Sequence, residues 1–279
     1  MRIVNLIENT EGVRGCAFDH GLSFYVKTHH HRLLLDLGPS AQTIDNAKVL
    51  GIDLSQIDTV VLSHGHYDHS GGIMPFSSVN DHATIYMQSS AADDHYSDDG
   101  EHAEGERYRY NGIDKDIVKL SQTKMIDGDL KIDDELSIFT LKNRTHEVPF
   151  TNKRLLVMEN GELVRDDFRH EQYLVISDDG KRVLMSGCAH NGILSILDSF
   201  SKKFGGDPDL VISGFHLMKK KDYRPEEIVA IRSIGKELTR RRSKFVTCHC
   251  TGMAYDILKD VMGDDLSYVH SGEDVAIPN

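Results

Sequence analysis

Ten consecutive residues constrain this chain more than any other stretch: Ser63-His64-Gly65-His66-Tyr67-Asp68-His69-Ser70-Gly71-Gly72. Four of them carry metal-binding groups. They follow an apolar run, Ile57-Asp58-Thr59-Val60-Val61-Leu62, that reads as a buried strand. A strand that stops abruptly in His-x-His-x-Asp-His puts three imidazoles and a carboxylate on one short loop. Neutral imidazole nitrogens and carboxylate oxygens suit zinc, and also iron or manganese. Small residues at Ser63 and Gly65 leave the backbone room to turn. Gly71 and Gly72 allow an exit with dihedrals or close approaches that larger residues resist.

The flanking sequence suits two sheets covered by helices. Residues 3–7 read as an edge strand. Residues 21–27 and 32–38 alternate and form a predicted hairpin, with His29, His30 and His31 in a solvated turn. Asp36 ends its strand at the same end of the sheet as Ser63. Residues 41–50 have helical spacing, and 83–87 form a further strand. Residues 88–116 differ: polar, nearly without aliphatic side chains before Ile113, and too long for an ordinary connection. They are expected to be a functional lid or a partly disordered loop. Arg107 and Tyr108 within them are candidate contacts for an anionic or aromatic substrate. Short strands of a second sheet are predicted at 118–121, 130–132, 136–141 and 155–158, and a strong hairpin at 171–187. Helices at 193–200, 225–239 and 253–261 then alternate with strands at 209–213 and 244–247, and a strand segment at 267–277 closes the chain. No linker or repeat interrupts this order. Residues 1–279 therefore read as a single domain with an insertion at about 88–116.

Three polar clusters follow buried strands in the second half. They are Ser186-Gly187-Cys188-Ala189-His190-Asn191-Gly192, Ser213-Gly214-Phe215-His216-Leu217 and Thr247-Cys248-His249-Cys250-Thr251-Gly252. Each places a histidine just beyond an apolar run. One such histidine is ordinarily a structural group. Three in the same topological situation, together with the loop at His64, point to a shared metal site at one sheet edge. Cys248 and Cys250 flank a ligand candidate and are expected to be small packing residues.

The decapeptide resembles the His-x-His-x-Asp-His signature of the metallo-β-lactamase superfamily. Adding Asp19-His20-Gly21-Leu22-Ser23 and the three downstream clusters, the chain is similar over nearly its whole length to one subgroup. That subgroup comprises archaeal and bacterial metal-dependent hydrolases and includes dihydropterin–ribofuranosylaminobenzene phosphate synthase-like proteins. The resemblance implies an α+β fold, a four-layer αββα sandwich, with one or two divalent metal ions at one edge. Zinc is the first expectation, with iron or manganese next. The resemblance also implies His64, His66 and His190 around one metal, and Asp68, His69 and His249 around a second. Asp68 and His216 would be catalytic, and His20 would line the substrate pocket. Much of the superfamily has Gly-Asp, with a bridging carboxylate, where Gly187-Cys188 stands here. A thiolate binds zinc or iron but matches a bridging carboxylate poorly, so His190 is the better donor. The superfamily often has a further ligand before the hairpin; His146 is the nearest candidate and is expected in the substrate pocket or without a role.

The implied activity is hydrolysis by a metal-bound hydroxide. The Arg/Tyr-containing insertion favours a small, phosphate-containing substrate. The alternatives are a transferase joining a dihydropterin to ribofuranosylaminobenzene 5′-phosphate, and a metal- or ligand-binding sensor without turnover. A net charge of -12 argues against nucleic-acid and anionic-membrane partners, which need a cationic face. No apolar run approaches the roughly 20 residues that span a bilayer, and the N-terminus lacks a signal-peptide core. Four cysteines fit a reducing cytoplasm.

Overall fold

The computed structural model describes residues 1–101 and 105–278; residues 102–104 of the expected insertion lie outside the described residues. Period-two alternation decides the architecture. In the strand Arg32–Leu35, Leu33 and Leu35 enter one buried cluster and Leu34 another. In Gln172–Asp178, Leu174 and Ile176 join the same cluster as Leu33, while Tyr173 and Val175 enter a third. Strands apolar on both faces must be covered on both. The shared cluster, with Phe24, Val26, Leu136, Met185 and Ile212, is the core between two sheets. The outer face of the first sheet packs against the helices Gln42–Val49 and Ile73–Ser77. The outer face of the second packs against Ile193–Phe200, Pro225–Leu238 and Ala254–Met262. The fold is a four-layer αββα sandwich.

The first sheet runs Arg2–Ile7, Ser23–Lys27, Arg32–Leu35, Thr59–Val61, Thr84–Gln88, Thr123–Ile126, parallel from the third strand onward. In the second, Lys181–Met185, Leu210–Ser213, Lys244–Thr247 and Leu266–Tyr268 are parallel. Parallel strands deliver their C-terminal ends to one edge, which is where every predicted ligand lies. Gln172 ties the sheets there. Its amide donates to Ser63 O at 2.8 Å, and its side chain donates to Leu62 O at 2.8 Å and Tyr86 O at 3.1 Å.

Four expectations change. Residues 88–116 are not a bare loop. They contribute His95–Asp98 and Tyr108–Tyr110 to a separate four-stranded sheet, whose other strands are Leu155–Glu159 and Glu162–Arg165. The strand at 155–159 therefore leaves the second sheet, because it pairs with His95–Ser97. Residues 115–119 form a 3-10 helix that buries Ile117 rather than a strand, and the strand follows at Thr123–Ile126. Among the described residues, the C-terminal segment forms a strand at Leu266–Tyr268 and an isolated bridge from Asp274 to Val4, rather than a strand over 267–277.

Candidate metal centre

Buried carboxylates grip the strand ends that carry the histidines. Asp36 accepts the Ser63 amide and hydroxyl, each at 2.7 Å. Glu171 accepts the His190 amide at 2.6 Å and the Asn191 amide at 2.9 Å. Glu8 accepts the His249 amide at 2.9 Å. The turns are tight: Asp36, Ala189, His216 and His249 all have left-handed backbone, with φ of 59°, 54°, 46° and 48°. Non-glycine residues pay about 1–3 kcal/mol each for this conformation, and it concentrates at sites where geometry matters. At Gly187, any Cβ would collide with the Ser63 side chain and sit 3.2 Å from Asp36 Oδ2.

Side-chain acceptors set the ring tautomers. Nδ1 of His64 faces Ser63 Oγ at 2.8 Å, and that hydroxyl donates onward to Asp36. Nδ1 of His69 donates to Asp36 Oδ2 at 2.6 Å, Nδ1 of His190 to Asn152 Oδ1 at 3.1 Å, and Nδ1 of His249 to Asn9 Oδ1 at 2.7 Å. A proton fixed on Nδ1 leaves the Nε2 lone pair as the free donor. Those Nε2 atoms converge. His64 and His190 approach to 3.3 Å, and so do His69 and His249. Asp68 Oδ2 lies 3.4 Å from Nε2 of His249 and 3.6 Å from that of His69. Donor atoms of His64, His66 and His190 lie within 4.8 Å of one another. Such crowding of unpaired donors suits a cation at their centre.

Charge follows from this packing. Burial and neighbouring imidazoles hold His64, His66 and His190 well below the ordinary histidine pKa, so their rings are neutral. Burial opposes the charge on His69, but Asp36 and Asp68 outweigh it and raise its pKa to about 9. Burial likewise opposes ionisation of Asp68; His69, His249 and His20 prevail and keep it a carboxylate.

Cys188 does more than its resemblance-based reading suggests. Its Sγ lies 3.3 Å from Nε2 of His69, and it groups with His64 and His69, with His190 and His216, and with His249 and Cys250. Burial pushes its thiol pKa up, and the adjacent Cys250 pushes the same way. Cys250 also joins the cluster, accepting the His216 amide at 3.2 Å. Cys248 is fully buried in the core between the sheets.

The remaining predicted residues divide. His216 stacks near His190, ring centres 4.1 Å apart, and its Nδ1 is buried without a partner among the described residues. Half-exposed His20 stands at the rim, its Nε2 3.4 Å from Asp68 Oδ2. Arg107 and Tyr108 do not join the cluster. Arg107 is held bidentately by Asp98, and Tyr108 is exposed on the strand beside it. Arg109, two residues on, is likewise held by Asp99, at 2.9 Å, and half-exposed. His146 pairs with Asp198 at 3.1 Å, outside the cluster. Sequence reasoning missed Glu8, Asn9, Asn152, Glu171 and the trio His95, Asp166 and His170, none of which stands in a spaced motif.

A family model, Metallo-beta-lactamase superfamily, matches residues 17–225, and the chain belongs to that superfamily. It is 29% identical, over 98% of its length and 95% of the relative's, to the 7,8-dihydropterin-6-methyl-4-(beta-D-ribofuranosyl)-aminobenzene-5'-phosphate synthase of Methanocaldococcus jannaschii. An uncharacterized protein of the same organism is 27% identical over 80% of this chain and 82% of its own. Among solved structures, Tm1679, a metal-dependent hydrolase of the beta-lactamase superfamily, superimposes with a TM-score of 0.81 at 31% identity over the whole of both chains. The zinc-bound PqqB of Methylobacterium extorquens shares the fold, with a TM-score of 0.56 at 14% identity, over 99% of this chain and all of its own.

Proposed function

We propose that this protein is a metal-dependent hydrolase acting on a small, phosphate-containing molecule at two adjacent cation positions. The observation that carries this reading is the convergence of tautomerically fixed Nε2 donors, Asp68 and Cys188 in one buried cluster. His64, His66 and His190 would hold one cation, and Asp68, His69 and His249 the other, with Cys188 within reach of both. Zinc suits this mixture of nitrogen, oxygen and sulfur donors best. A divalent cation held there would supply Lewis-acid activation of a water and of the oxygen under attack. Asp68, beside His69 and His249, would orient the attacking water. His216, with an unpartnered Nδ1 beside His190, holds a proton for the departing group. The near full-length likeness to an archaeal phosphate-compound synthase favours a phosphate-containing substrate. Three buried free cysteines among the four fit a cytoplasmic location.

The near full-length likeness to the archaeal synthase supports a second reading, a transferase that joins a dihydropterin to ribofuranosylaminobenzene 5′-phosphate. There, His216 would face a departing pyrophosphate. The test is to purify the protein without added metal, measure its metal content, and assay it two ways. One assay uses phosphate mono- and diesters; the other uses a dihydropterin pyrophosphate with the arylamine. Ester hydrolysis abolished by Asp68→Asn supports the hydrolase. Joined product with released pyrophosphate replaces it by the transferase. A metal-loaded protein inactive in both assays leaves the sensor.

A further inference from the structure

Beside His66 lies a second cluster of titratable groups that the proposed reaction does not use. The ring of His66 is 5.7 Å from that of His95 and 5.4 Å from that of His170, and those two rings are 4.1 Å apart. The side chains of His95, Asp166 and His170 are all but fully buried. One donor atom from each of these four residues lies within 4.8 Å of the others, and Nε2 of His66 is buried without a partner among the described residues. By composition the cluster is either a further cation site or a hydrogen-bonded support.

Proton positions decide between them. The Gly65 amide lies 2.9 Å from Nδ1 of His170, and an amide N–H can only donate. That nitrogen is therefore unprotonated, and the neutral ring carries its hydrogen on Nε2. Nε2 lies 3.2 Å from Asp166 Oδ2 and donates to it. The same oxygen accepts from Nδ1 of His95 at 2.9 Å, and Oδ1 accepts the Phe168 amide at 2.7 Å. His170 thus has no lone pair left for a metal. Its acceptor serves the one backbone group between His64 and His66. Gly65 is itself wedged against the wall: a Cβ there would meet Ala91 O at 2.6 Å. A buried amide left unpaired at this point would be costly.

We propose that Asp166 and His170 are positioning residues for the metal loop. Asp166 fixes the tautomer of His170, and His170, through the Gly65 amide, sets the spacing and orientation of His64 and His66. The proposal rests on the reading that His64 and His66 hold a metal.

Two measurements on the full chain test it. Two-bond proton–nitrogen NMR of the metal-free, histidine-labelled protein reads the tautomer directly, with the His170 signals assigned by their loss in His170→Asn. The expected pattern has the proton on Nε2, and Asp166→Asn shifts it, because one amide oxygen cannot serve Phe168 and both imidazoles. Zinc affinity by chelator competition is expected to fall about 10- to 100-fold in His170→Leu and Asp166→Asn. In His170→Asn, which puts an oxygen near the place of Nδ1, the loss is expected to be about threefold or less. Thermal unfolding of the metal-free variants reports whether they fold, and the NMR measurement decides the tautomer if His170→Leu does not. A proton found on Nδ1 overturns the proposal. So does an unchanged zinc affinity in Asp166→Asn, or an extra zinc equivalent in the wild type that Asp166→Asn lacks, which would make the cluster a cation site. A chain that takes up no zinc fails the functional reading instead, and the tautomer measurement stands apart from it.

Discussion

His69 and Cys188 stand 3.3 Å apart and would both lose a proton on binding a cation, for different reasons. His69 is held protonated by two carboxylates, and Cys188 is kept a thiol by burial. A metal bound as proposed would have to displace both protons, so its affinity would rise with pH. For His69 the rise continues up to its pKa of about 9. We expect at least about a tenfold gain in apparent zinc affinity per pH unit over the neutral range, measured against a chelator of known pH dependence. Asp36→Asn removes one of the carboxylates that charge His69 and disturbs its Nδ1 partner. It should weaken binding about 10- to 100-fold and flatten this pH profile. Cobalt substitution tests the thiol. A near-ultraviolet sulfur-to-cobalt charge-transfer band should be present in the wild type, persist in Cys250→Ser and vanish in Cys188→Ser. A band lost only with Cys250 would reverse the roles of the two sulfurs.

At the scale of elements, His29 and His30 are exposed in the hairpin turn, as expected, but His31 departs from the solvated turn its composition suggests. His31 is only 17% exposed and spans two carboxylates, with Nδ1 2.8 Å from Asp58 and Nε2 2.6 Å from Asp133. Asp58 precedes the strand that feeds the metal loop, and Asp133 belongs to the turn before Leu136–Thr140 of the other sheet. Burial opposes the charge on His31, but the two carboxylates outweigh it and raise its pKa. A raised folded-state pKa contributes stability that is complete below the unfolded value of about 6.5. It is lost as pH rises through the folded-state value. The wild type should therefore exceed His31→Gln in thermal midpoint at pH 6, and the gap should close in alkaline solution. An equal gap at both ends would mean packing rather than charge. Elements also explain what was legible. The clustering of His64 to His69 could be read because candidate ligands on one turn have a fixed local spacing, and that of His190 and His249 because each follows an apolar run. His95, Asp166 and His170 could not, since they are united by the pairing of Leu155–Val157 with His95–Ser97, which no local pattern announces.

For the whole molecule, the layered architecture followed from alternation at positions such as Leu33 to Leu35, but the join between the layers did not. Gln172 makes that join, with its side chain donating to Leu62 and Tyr86 of one sheet from a strand of the other and accepting from Gln88 at 2.8 Å. Nothing in its sequence context marks it. Gln172→Ala leaves buried carbonyls unpaired and should cost about 2–4 kcal/mol, given about 1 kcal/mol for each lost bond plus desolvation. Chemical denaturation of the metal-free protein measures this; a loss below about 1 kcal/mol would mean that apolar packing alone holds the sheets in register.

The clustered donors are far apart in the chain: 180 residues separate His69 from His249. If they hold metal as proposed, the decapeptide of a nascent chain would offer only part of the donor set, open to whichever ion is abundant. Cys188, His190 and His249 would be added once the second sheet is laid down. Discrimination between ions would then belong to the late steps of folding, and a chain refolded amid competing metals should exchange them freely until those steps are complete.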